Sequence, residues 1–164
     1  MPTEEGRTPP AAFAVDRMLG RLARWLRILG HDVAYGPHLR GDTLLACARS
    51  EGRMILTRET RLVRRRNLQP HVFIVADRFR DQLRQLADTV PLGGGVLRRC
   101  LDCNQPLETL RRDEVRDRVP SYVFETQPAF WGCPRCHNLF WAATHREHIV
   151  RELAAMGLAG AVAA

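Results

Sequence analysis

An α/β layered domain built on a parallel sheet, with a small second module after it, is what three features of the sequence predict. Short apolar runs suited to buried strands alternate with stretches of helical periodicity as far as Val90. The segment Pro91-Leu92-Gly93-Gly94-Gly95 then interrupts both patterns. Beyond it, paired cysteines stand where a longer chain would carry enough apolar residues for a core.

The elements follow in order. Phe13-Ala14-Val15 reads as a short buried strand ending at Asp16. Met18 to Leu29 reads as a helix: Leu19, Leu22, Leu26 and Leu29 recur at helical spacing, and Arg17, Arg21 and Arg24 form a stripe apart from them. Gly30 suits the stop. Asp32 to Tyr35 is a second short strand, broken by Gly36-Pro37. Asp42 opens a helix over Thr43 to Arg49 that ends near Gly52. Met54 to Thr57 is an apolar strand, followed by a basic helix through Arg66. Val72 to Val75 is a strand and Arg78 to Leu86 a helix. After the join, Tyr122-Val123-Phe124 reads as a strand, Leu139-Phe140-Trp141 as an apolar run, and His145 to Met156 as a helix. These readings divide the chain into a lead-in (1–12), an α/β domain (13–92), a metal-held module with its helix (96–156) and a tail (157–164).

The module carries the sharpest chemical signal. Cys100-Leu101-Asp102-Cys103 and Cys133-Pro134-Arg135-Cys136 are C-x-x-C turns separated by about thirty residues. Each turn aims both sulfurs at one point, and two turns complete a tetrahedral thiolate shell for Zn²⁺. A closed shell leaves no position for water, so the expected zinc is structural. Disulfides and thiol redox chemistry suit this spacing less well. His137 and His145 lie close by, but four cysteines already suffice. The remaining cysteine, Cys47, sits mid-helix beside Leu44, Leu45 and Ala48 and reads as a small core residue.

Three acidic residues stand at predicted strand ends. Asp16, Asp42 and Glu59 would gather on the carboxyl edge of a parallel sheet, where ligands bind. Carboxylates so gathered repel one another unless a divalent cation such as Mg²⁺ or Mn²⁺ neutralises them. Such an ion can activate water against a phosphodiester. Each residue also has a structural reading: Asp42 as an N-cap, Glu59 as a first-turn acid, Asp16 with the least structural explanation. Asp77, after the last strand, is a fourth candidate, better read as a turn residue.

The formal net charge of +7 favours a polyanionic partner. Every basic side chain is arginine, which genomic composition alone explains. No apolar run is long enough to span a bilayer, and MPTEEGRTPPAA has the composition of a disordered lead-in, not of a signal peptide. With its cysteine pattern, the chain is expected in a reducing, cytoplasmic compartment. Arg17, Arg21 and Arg24, together with Arg58, Arg61, Arg64, Arg65 and Arg66, are candidates for phosphate contacts. Phe130, Trp131, Phe140 and Trp141 read mainly as the packing of the small module.

The run from Asp16 to Arg27, then Leu29-Gly30-His31-Asp32, resembles the ribonuclease domain found at the C-terminus of mut-seven exonucleases. The similarity continues at Gly41-Asp42-Thr43-Leu44-Leu45, at Ile55-Leu56-Thr57-Arg58-Glu59 and at both knuckles, and ends with Phe140-Trp141-Ala142-Ala143-Thr144-His145. It implies a PIN-like three-layer α/β/α nuclease domain followed by a zinc ribbon. It also implies catalytic, metal-binding roles for Asp16 and Asp42, and for Glu59, which stands where the family usually has aspartate. Arg17, Arg21, Arg24 and Arg58 would hold RNA. The expected function is divalent-metal-dependent ribonuclease activity. A non-catalytic RNA- or ribosome-binding protein is the alternative that Glu59 keeps open, and a DNA-directed nuclease is a third reading.

Overall fold

The computed structural model describes residues 11–93, 95–141 and 143–162. The lead-in over residues 1–12 lies almost wholly outside them, as do the side chain of His145 and the end of the 157–164 tail.

Strands β1 (Phe13–Val15), β2 (Val33–Ala34), β3 (Met54–Thr57) and β4 (His71–Phe73) form one sheet in the order β2-β1-β3-β4, with every pairing parallel. Parallel strands need crossovers, supplied by α1 (Gly20–Ile28), α2 (Gly41–Glu51) and α3 (Thr60–Val63); α4 (Phe79–Ala87) follows the last strand. Side-chain alternation along the central strands sorts the helices into layers. Phe13, Val15 and Leu56 face a core shared with Leu22 and Leu26 of α1 and Leu83 and Leu86 of α4. Ala14 and Ile55 face the opposite core, with Leu44 and Ala48 of α2 and Leu62 of α3. The result is the expected three-layer arrangement, and the fully apolar β1 is explained by burial on both faces.

The expected helix at Met18 begins with a 3-10 turn, Arg17–Leu19, and becomes α-helical at Gly20. At its end Gly30, with φ 87°, closes a Schellman turn: its amide donates to the Arg27 carbonyl and the His31 amide to the Leu26 carbonyl. The helix expected to run through Arg66 stops at Val63, since Leu62 is its one buried residue and nothing apolar holds a further turn. The last sheet strand is His71–Phe73, although the Ile74 amide still bonds to the Thr57 carbonyl at 2.9 Å, and Val75 is exposed.

After the join lie β5 (Glu108–Leu110), α5 (Arg112–Val115), α6 (Ser121–Thr126), β6 (Phe130–Gly132), β7 (Leu139–Trp141) and α7 (Ala143–Ala155). The β strands form an antiparallel sheet, β5-β6-β7. Tyr122-Val123-Phe124, expected as a strand, is the middle of α6. Val123 and Gln127 are buried one helical turn apart, and the Phe124 amide closes on the Pro120 carbonyl. The strand of this region is β5, a short polar edge without an alternating apolar signal.

His31 ties the α/β domain to the join. It is fully buried, its Nδ1 donates to the Ala11 carbonyl, and its Nε2 accepts from the Gly93 amide at 3.2 Å. Burial keeps its pKa below the ordinary 6.5. The unfolded chain therefore takes up the proton first, so this contribution to stability is complete above 6.5 and declines as pH falls through the folded value. Urea melts at about pH 7.5 and about pH 5.5 should show a loss at the lower pH that shrinks in His31→Gln.

Candidate functional site

The carboxyl ends of β1 and β3 place the acidic side chains. Asp16 directly follows β1 and is buried; its Oδ1 accepts from the Met18 amide at 3.2 Å and its Oδ2 from the Thr57 hydroxyl at 2.9 Å. The same Thr57 oxygen accepts from the Glu59 amide at 2.9 Å. One threonine thus fixes the Asp16 carboxylate and the backbone that presents Glu59. Asp16 and Glu59 open into a common cleft of about 690 Å³, rimmed by Arg17, Met18, Arg40, Arg58 and Arg61. Neither carboxylate has an arginine within ion-pair distance among the described residues.

Asp42 lies differently. Its neighbour Gly41 lines the cleft, but the Asp42 side chain is 84% exposed and pairs with Arg65. Asp77 is exposed and pairs with Arg58. Asp32 belongs to the fold: burial works against its charge, yet hydrogen bonds from Arg53 and Asn104 hold its carboxyl below the ordinary range. Among the proposed substrate arginines, Arg17 and Arg58 rim the cleft, Arg21 lines a neighbouring one, and Arg24 approaches Asp102 at 4.0 Å.

The second centre is the thiol cluster. The sulfurs of Cys100, Cys103, Cys133 and Cys136 all lie within 4.8 Å of one another, and they are the one such group of potential metal ligands among the described residues. Tetrahedral Zn–S bonds of about 2.3 Å require sulfurs about 3.8 Å apart, so the spacing is compatible with zinc. The two turns repeat one design. Asn104 and His137, at φ 65° and 61°, each follow the second cysteine and donate their amide to the carbonyl of the first, at 3.0 Å in both. His137 is thereby a turn residue outside the cysteine cluster. Burial pushes the Cys133 thiol up, but hydrogen bonds from the Cys136 amide, the Cys103 thiol and the Arg135 amide outweigh it and bring Cys133 to about 7. A partly ionised thiol is ready to meet a cation.

A family model, Mut7-C RNAse domain, matches residues 11–153. The chain belongs to that family. No curated protein and no solved structure matches it. The Mut7-C RNAse match spans both centres, so the cleft and the cysteine cluster are parts of one family unit. It supports a nuclease-like, RNA-related function. No helix among the described residues is long and apolar enough to cross a membrane.

Arg27 has a role in this Mut7-C RNAse domain that the sequence did not disclose. Its buried guanidinium donates from Nε and Nη2 to the Val33 carbonyl, and from Nη1 to the Leu101 and Asp102 carbonyls at 2.8 and 2.9 Å. A helix of the α/β domain thus grips the backbone of the first knuckle. Asn104 acts beside it: its Oδ1 takes the Val33 amide at 2.9 Å and its Nδ2 donates to Asp32, satisfying the edge strand β2. The knuckle carbonyls lie 74 and 75 positions from Arg27, and Asn104 lies 71 from Val33, and no spacing rule reaches that far.

Proposed function

We propose that the chain is a divalent-metal-dependent ribonuclease whose scissile phosphate is received in the Asp16–Glu59 cleft, and whose four cysteines hold one structural zinc ion. The observation that carries the reading is the Asp16 carboxylate: buried, oriented by Thr57, unpaired with arginine, and open to an arginine-rimmed cleft. A buried carboxylate without a cationic partner is costly unless something neutralises it.

The donor set suits Mg²⁺ or Mn²⁺. Such ions are commonly held by one or two carboxylates, with water and substrate oxygens completing the shell. Asp16 and Glu59 would provide the protein ligands. Asp42, next in the chain to the cleft-lining Gly41, would join by leaving Arg65. When bound, the ion supplies an activated water and neutralises charge on the phosphoryl oxygens. Arg17 and Arg58 would orient the phosphate, with Arg58 exchanging Asp77 for a substrate oxygen.

The decisive assay incubates purified protein with labelled single-stranded RNA and Mn²⁺, with and without chelator, beside Asp16→Asn. Cleavage that needs metal and is lost in the variant supports the enzyme. Equal cleavage by both proteins points to a contaminant and leaves the RNA-binding alternative. Thr57→Val should separate orientation from ligation. It keeps volume and both carboxylates but removes the hydroxyl that holds Asp16, so cleavage should fall by about tenfold and recover partly at raised Mn²⁺.

A further inference from the structure

We infer that a single RNA strand leaving the Asp16–Glu59 cleft passes over Met18 into a second cleft, where Arg78 and Arg21, the latter seated on Phe79, hold the next nucleotides. The inference rests on the proposed nuclease site for the position of the first cleft. A second cavity of about 630 Å³ opens between the start of α1 and the start of α4. Met18 lines both cavities and is 66% exposed. The Arg58–Asp77 ion pair also joins the two, with one partner in each cleft.

The charges within the second cleft are uneven. Arg84 is matched by Asp81, Arg80 by Glu152, and Asp77 by Arg58. Arg21 and Arg78 have no carboxylate partner among the described residues. The Arg21 guanidinium lies 4.3 Å over the Phe79 ring, which itself stacks against Trp25. A guanidinium laid on an aromatic ring is held flat, and a flat guanidinium can stack an unpaired base while its edge contacts phosphate. Met18 on the ridge offers an apolar surface to a base turned between the clefts. Stacking requires unpaired bases, so the occupant is a single strand and not a duplex.

The test compares binding of fluorescein-labelled single-stranded RNAs of about 4 and about 12 nucleotides to the full-length protein. Wild-type protein should bind the longer RNA more tightly. Arg78→Glu, at an exposed position, should reduce that length advantage about tenfold and lower the salt slope for the longer RNA by about 0.7, one phosphate contact on a single strand. Phe79→Ala should act in the same direction by freeing Arg21, with a thermal melt to show that the fold persists. Unchanged affinity and salt slope in both variants, no length advantage in wild-type protein, or equal binding of a duplex would each overturn the path. Asp16→Asn separates the two ideas. If it cleaves as well as wild type, the nuclease reading fails while the length and salt data still judge the second cleft.

Discussion

Asparagine at position 16 should lower metal-dependent RNA cleavage by on the order of a hundredfold or more while leaving the fold intact. The fold argument is local. The side-chain carbonyl of the asparagine would still accept the Met18 amide, and Thr57 keeps its acceptor role toward the Glu59 amide. The loss is therefore confined to about 1 kcal/mol of stability from the altered Thr57 contact. The chemistry has no such substitute, because an amide cannot neutralise a divalent ion. Asp42→Asn should cost less than Asp16→Asn, since Asp42 starts from an exposed pair with Arg65. Single-turnover cleavage at several Mn²⁺ concentrations, with a thermal melt of each variant, measures both quantities. An Asp16→Asn protein that cleaves as well as wild type would point to a contaminant and overturn the nuclease reading.

Serine in place of Cys133 should release the zinc and unfold the β5–β7 ribbon, with consequences beyond it. Structural zinc contributes about 10 kcal/mol or more to small modules of this kind, and the Val115, Val123 and Phe130 cluster is too small to replace that. Part of the damage should reach the α/β domain. Arg27 would lose the Leu101 and Asp102 carbonyls and keep a buried charge with fewer partners, at a cost of about 3 kcal/mol. Ile149 and Leu153 of α7, with Met156 just beyond it, join the core that holds α1 and α4, so the C-terminal end is anchored independently of the metal. The expected outcome is loss of about one zinc per chain, a lower melting temperature for the α/β domain, and retained α7 helicity. Zinc content by atomic absorption and a circular dichroism melt give the answer. Metal remaining at one per chain would show that the ligand set is wrong.

What could be read from residue order alone was whatever depends on neighbours. Phe13-Ala14-Val15 and Met54 to Thr57 are strands because burial on both faces demands uninterrupted apolar residues. The leucine stripe of α1 and the two C-x-x-C turns are equally local, since a helix or a knuckle is specified within a few positions. Short segments were read less well. Tyr122-Val123-Phe124 satisfies either period over so few residues, and packing of Val123 against the ribbon decides for helix.

The acidic residues divide along the same line. That Asp16 and Glu59 follow strand ends is legible in residue order; that β1 and β3 are neighbours, with β2 on the far side of β1, is decided by the fold. That Thr57 links them, and that Asp42 turns to Arg65, depends on side-chain reach across elements. Arg27 shows the limit most clearly. Within its helix it is one more arginine in a basic chain, and only folding brings to it the carbonyls of a knuckle far along the sequence. Periodicity determines which face of an element is buried; three-dimensional packing determines which distant polar groups must meet there, because every buried donor and acceptor needs a partner wherever the chain supplies one.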